Sequence, residues 1–156
     1  MIPVPPNDDE RIATLRSYAV LDTPKEESFD ALTRLAARLF GVAIALVSLV
    51  DKDHQWFKSS HGLDAEQTPR DQAFCTYAIM ENEPLVVLDA TLDERFSDNP
   101  LVTGAPGIRL YAGAADFTGE LPPRNLLHYR YEAAREFSRF RRQPSYRFFQ
   151  HDGRHP

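Results

Sequence analysis

The spacing of apolar and polar positions changes several times along the first 114 residues, and each change predicts an element. Ile12 and Leu15 stand three apart among charged residues, so residues 10–18 are expected to form a short amphipathic helix with Asn7 or Asp8 as its N-cap. Thr23-Pro24-Lys25-Glu26 then offers a cap hydroxyl, a proline at the first helical position and a glutamate at the third. Phe29, Leu32, Leu35, Ala36 and Leu39 follow at helical spacing until Gly41, which predicts a helix over 24–40. On this reading Thr23→Ala costs about 1 kcal/mol through the lost cap, visible as a lower denaturation midpoint.

Residues 42–50 are too short and too rich in valine for a further helix and predict a central strand. Asp51-Lys52-Asp53-His54 is the expected turn, and residues 55–59 return as the second arm of a hairpin with Trp56 and Phe57 on opposite faces. Past a loop with Gly62 and Pro69, Asp71 is the expected N-cap of a helix over 72–81 whose apolar face is Phe74, Cys75, Ala78 and Ile79. Residues 85–88 and 108–114 read as two more strands around a polar loop. Helices interspersed with sheet hairpins define the α+β class.

Composition adds a break that the periodicity does not show. Residues 1–114 carry 10 Lys and Arg against 18 Asp and Glu, whereas residues 115–156 carry 8 Arg and no Lys against 5 acids. Leu, Ile and Val number 26 before the break and only three after it, Leu121, Leu126 and Leu127. The chain is therefore expected to divide into a domain over 1–114 and an unrelated basic, aromatic tail over 115–156. The apolar stretch at 42–50 is about half of the roughly 20 residues a bilayer span needs, and the acidic start has no basic leader, so a cytoplasmic chain with no membrane partner is expected. The single cysteine, Cys75, excludes an internal disulfide and dithiol chemistry within one chain.

Five blocks in order, "LDTPKEESFDALTRLAARLFGVAIALVSLVDKDHQWFKSSHGL", "TPRDQAFCTYAIMENEPLVVLDA", "DERFSDNPLV" and "GIRLYAGA" among them, are similar to the GAF domain. More narrowly, they resemble the bacterial subgroup at the N-terminus of sensor histidine kinases, diguanylate cyclases and cyclic-di-nucleotide phosphodiesterases. The match covers residues 10–114, with Ala43 standing where the subgroup often has proline. The resemblance implies an antiparallel sheet flanked by helices, a pocket on one face of the sheet, and regulation rather than catalysis. It implies an unidentified small-molecule ligand as partner, with a homodimer as a further arrangement, and no resident cofactor.

After Ala114 the resemblance stops, so the GAF-like sheet is expected to be incomplete on its C-terminal side. The residues after "YAGA" do not supply the family's next strands. A shift of one base inside the Ala114 codon lets the codons of Arg124 to Arg130 encode Gly-Thr-Phe-Cys-Ile-Ile-Asp, the family's missing strand. Residues 115–156 are therefore expected to be an out-of-frame reading of a gene for a longer protein, and to pack poorly. Their Arg, Tyr and Phe content superficially suits nucleic acid, but the shifted frame explains it, and nucleic-acid binding is not expected.

Within this frame the candidate ligand-binding residues are Trp56, Lys58, Cys75, Asp89, Arg95, Asp98, Asn99, Arg109 and Tyr111. Trp56 beside Lys58 could line a pocket, although core packing is the commoner fate of a tryptophan. Cys75 is a reactive thiol if a helix N-terminus activates it and a small buried hydrophobe otherwise. Arg95, Asp98 and Asn99 suit polar recognition or the bracing of their own loop, and Asp89, Arg109 and Tyr111 flank the same mouth in the family's layout. His54 and His61 with Asp51 or Asp53 have no diagnostic metal spacing, so no metal and no catalytic residue is expected. The expected function is a sensory domain of a signalling protein without its output domain. The alternatives are a non-functional fragment of a disrupted gene and a GAF-like free methionine sulfoxide reductase, which a single cysteine disfavours.

Overall fold

The computed structural model describes residues 2–81 and 83–115; the predicted tail and its out-of-frame reading fall on residues outside these, apart from Ala115. Two helices come first, α1 (Asp8–Ser17) and α2 (Glu27–Phe40). The strands β1 (Ala45–Val50), β2 (His54–His61) and β3 (Gln67–Pro69) follow, then a 3-10 turn (Arg70–Gln72) and α3 (Cys75–Ala78). Among the described residues the order ends with β4 (Leu85–Val87), α4 (Pro100–Thr103) and β5 (Tyr111–Gly113). The fold is α+β with antiparallel pairing throughout: β1-β2-β3 form one sheet and β4-β5 a second.

The hairpin forms as its residues predict, closed by the Asp51 amide donating to the His54 carbonyl at 2.9 Å. Among the described strands β2 rather than β1 is the middle of its sheet, because residues 67–69 add a third strand that the loop-like sequence around Pro69 conceals. Its pairing has one irregularity. Ser48 faces Phe57 and Val47 faces Ser59, so Lys58 has no opposite residue. That bulge gives β2 two successive residues on the α2 side. Lys58 Nζ donates to Thr23 Oγ1 at 2.7 Å and to the Pro24 carbonyl at 2.9 Å and pairs with Glu26 at 2.6 Å. Ser59 meets both Asp30 and Thr33 of α2.

These contacts correct the expected start of α2. Glu26 is extended (φ −122°, ψ 132°) and the helix begins at Glu27, so Thr23 is not its N-cap. The Thr23 hydroxyl donates to the Val20 carbonyl and accepts from Lys58, which leaves it no role at a helix end. At the other end Gly41 caps the helix in the left-handed region, φ 63°, as its position predicts. The buried face is also rotated from the expected one. Thr33 and Ala37 are buried whereas Leu35 and Leu39 are 60% and 59% exposed, because the hydroxyl chain Ser59–Thr33 and the Asp30 carboxylate turn the polar side of α2 to the sheet.

The helix expected over 72–81 is shorter, and Asp71 does not cap it. Ala73 is extended (φ −77°, ψ 124°) between the 3-10 turn and α3. Side chains hold this segment through its carbonyls: Thr76 Oγ1 donates to that of Arg70 at 2.7 Å and Asn99 Nδ2 to that of Gln72 at 2.9 Å. Against α3 lies the main apolar cluster of Phe74, Ala78, Leu85, Val87, Ala90, Phe96 and Val102. Phe74 and Phe96 stack at 4.1 Å, and Tyr77 meets Phe96 edge-on at 4.8 Å. Such ring pairs contribute roughly 0.5–1.5 kcal/mol each beyond their buried area.

Thr23→Ala is expected to destabilise the fold by about 1–2 kcal/mol through the lost bond to a charged donor rather than through a helix cap. A double-mutant cycle with Lys58→Met separates the two: urea midpoints should show a coupling of about 1 kcal/mol, whereas a capping role leaves the two substitutions additive.

Candidate functional site

The face of the sheet opposite α2 carries a cluster of neutral polar side chains from four elements. Ser48 sits in β1, one polar residue within an apolar strand, and Gln55 lies near the start of β2. Both reach Cys75 at the first position of α3: Gln55 Nε2 donates to Sγ at 3.2 Å, and Ser48 Oγ lies 3.5 Å from it. From β5, the Tyr111 hydroxyl lies 3.3 Å from the same sulfur. The Tyr111 ring packs on Phe74 with centroids 5.0 Å apart. Its direction depends on Gly113, two residues along the strand. A Cβ at Gly113 would lie 2.1 Å from the Tyr111 hydroxyl, so the absent side chain leaves the space the phenol occupies.

Burial pushes the Tyr111 phenol well above the ordinary tyrosine range, and Cys75 beside it adds to the shift. The phenol is thus a neutral donor throughout the physiological range. No imidazole or carboxylate is hydrogen-bonded to Cys75 among the described residues, so the arrangement offers donors and acceptors to a polar ligand edge rather than a nucleophile with its base.

Of the candidates, the structure brings Cys75 and Tyr111 together and leaves the others elsewhere. Trp56 and Lys58 belong to the α2 side: Trp56 is buried and Lys58 is 2% exposed, its ammonium 5.7 Å from the centre of the Phe29 ring and 5.9 Å from that of Trp56. The loop candidates brace their own backbone. Asp89 accepts from the Thr91 amide and hydroxyl, Arg95 forks onto Asp93 at 2.9 and 2.6 Å, and Asn99 Oδ1 caps α4 through the Leu101 amide at 2.8 Å. Arg109 donates to the carbonyls of Val102 and Gly107, and Asp98 is exposed. Ser48 and Gln55 were missed from the sequence; a serine interrupting the apolar run 42–50 was the available signal for the first. A separate shallow cavity of about 190 Å³ lies against α2, lined by Lys25, Asp30, Thr33, Arg34, Ser60 and His61. Among the described residues no group of three His, Cys, Asp or Glu side chains is placed to hold a metal ion, and no helix is long and apolar enough to cross a membrane.

An α+β fold with a polar cluster on one sheet face is the setting in which the comparison with known proteins falls. The GAF domain family matches residues 24–120, and the chain belongs to that family. Over 118 residues it is 44% identical to a cyclic di-GMP phosphodiesterase of Pseudomonas aeruginosa, an alignment covering 76% of this chain and 20% of the relative. The chain thus spans about a fifth of that relative's length.

In the unfolded chain the Tyr111 phenol ionises at its ordinary value, and in the fold only at higher pH. The stability it carries is complete below the ordinary value and is lost as pH climbs toward the raised one. Tyr111→Phe is expected to flatten this alkaline limb when urea midpoints are followed from about pH 9 to 11. An unchanged limb would show that the phenol is not buried as described.

Proposed function

We propose that this chain is the sensory, non-catalytic input domain of a bacterial cytoplasmic signalling protein, and that it recognises a small molecule at the cluster of Ser48, Gln55, Cys75 and Tyr111. The observation that carries the reading is the convergence of four neutral hydrogen-bonding side chains from β1, β2, α3 and β5 on one sheet face in a GAF family member. Neutral donors and acceptors in partly buried surroundings suit the polar edge of a heterocycle or small metabolite. The similarity to part of a cyclic di-GMP phosphodiesterase supports an input role beside an output domain. Occupancy acts by differential affinity for two conformations.

The test is thermal unfolding of the chain with cyclic AMP, cyclic GMP, cyclic di-GMP and a panel of free amino acids. A ligand held at 100 times its Kd stabilises the folded state by about 2.7 kcal/mol. One compound is expected to raise the midpoint, and Gln55→Ala is expected to abolish the rise; a shift that survives Gln55→Ala places binding elsewhere. Turnover of cyclic di-GMP or free methionine sulfoxide by the purified chain would overturn the non-catalytic reading. For residues 115–156 the out-of-frame origin stands as a proposal, tested by sequencing the gene past the Ala114 codon.

A further inference from the structure

Helix α1 is fastened by charge more than by apolar contact. Its buried residues are Asp8 and Ile12, one of them a carboxylate. At its start, Arg70 grips Asp8 with both terminal nitrogens, Nη1 to Oδ2 at 2.8 Å and Nη2 to Oδ1 at 3.1 Å, and Arg11 adds a bond to Oδ1 at 2.8 Å. At its other end the polarity reverses: Arg16 forks onto Asp51 at 3.2 and 3.0 Å. Both forks close on one small region, because Arg70 Nη1 also donates to the carbonyls of Asp51 and Lys52 in the hairpin turn. Burial opposes ionisation of Asp8, but the bonds from Arg70 and Arg11 outweigh it and hold the carboxyl below its usual range.

Arg70 faces two ways. Its side chain holds α1, while its carbonyl accepts the Ala73 amide and the Thr76 hydroxyl, fixing the short segment that presents Cys75 to Ser48, Gln55 and Tyr111. We propose that α1 is an ionically latched strap, able to undock as a unit while the sheet stays folded, and that Arg70 couples its docking to the geometry around Cys75. A guanidinium fork is suited to this, since its two parallel bonds form together and break together, unlike an apolar seam that loosens gradually. The proposal concerns the mechanics of the chain and stands whether or not the cluster binds a ligand.

Two measurements test it. In the unmodified chain, native-state amide exchange at low denaturant should show α1 opening with a smaller free energy and a shallower denaturant dependence than β1 and β2. Exchange of α1 only through global unfolding would overturn the strap. Arg70→Lys and Asp8→Asn should then raise exchange across α1 by about tenfold or more, as expected for loss of a charged fork, without raising it in β1 and β2. Both variants should also change the rate at which iodoacetamide alkylates Cys75, whereas Arg16→Gln should free α1 with a smaller effect on that rate. If α1 is released and alkylation of Cys75 stays at its original rate in all three variants, the coupling through Arg70 is refuted. If Arg70→Lys or Asp8→Asn unfolds the whole chain, α1 belongs to the cooperative core and the strap is refuted too.

Discussion

Arg70 follows β3 with a side chain only 4% exposed, and a charge buried so far must be answered by an opposite charge and by acceptors for the protons of its terminal nitrogens. Asp8 supplies the charge, and the carbonyls of Asp51 and Lys52 supply acceptors. Three segments far apart in the chain are thereby drawn to one point: the N-terminal helix, the tip of the β1–β2 hairpin and the turn into α3. Such a pair adds little net stability over a well-packed apolar substitute, since desolvation offsets most of its attraction, yet removing one partner strands the other in the interior. Its contribution is to positioning, where it joins the docking of α1 to the turn that leads into α3.

A second constraint is the bulge at Lys58, which sorts the side chains of β2 between two environments. On the α2 side Lys58 and Ser59 meet Thr23, Glu26, Asp30 and Thr33, and this polar seam replaces the leucine-lined contact a helical wheel suggests. On the other side Gln55 is free to point at Cys75. The chemistry of the two faces differs accordingly, one built on a buried cation and hydroxyls and the other on neutral donors around a thiol. The aromatic stack of Phe74 and Phe96 underpins the second face and holds Tyr111 by its ring.

Membership of the GAF family accounts for the architecture and leaves the specificity to side chains peculiar to the site. The loop residues Asp89, Arg95, Asn99 and Arg109, which have the right chemistry for recognition, are engaged with backbone and neighbouring side chains that shape the 89–109 segment. The proposed site is built instead from Ser48, Gln55 and Tyr111, whose hydrogen bonds cross between elements to the Cys75 sulfur.

The sequence by itself determined the helices around Ile12 and Leu32, the hairpin, the Gly41 terminus and the strands near 85 and 111, because each rests on local periodicity or on a conformation only a few residues adopt. The hairpin turn is one residue shorter than expected, since His54 already belongs to β2. The sequence misled at Thr23 and Asp71, both sound helix caps by residue type, because Lys58 claims the Thr23 hydroxyl and the chain is extended at Ala73, between Asp71 and the start of α3. It also could not say which polar residues share a face. Ser48, Gln55, Cys75 and Tyr111 span more than sixty positions, and only the pairing register, the bulge and the buried Arg70 fork bring them within hydrogen-bonding reach, since contacts between distant segments leave no period in the chain that makes them.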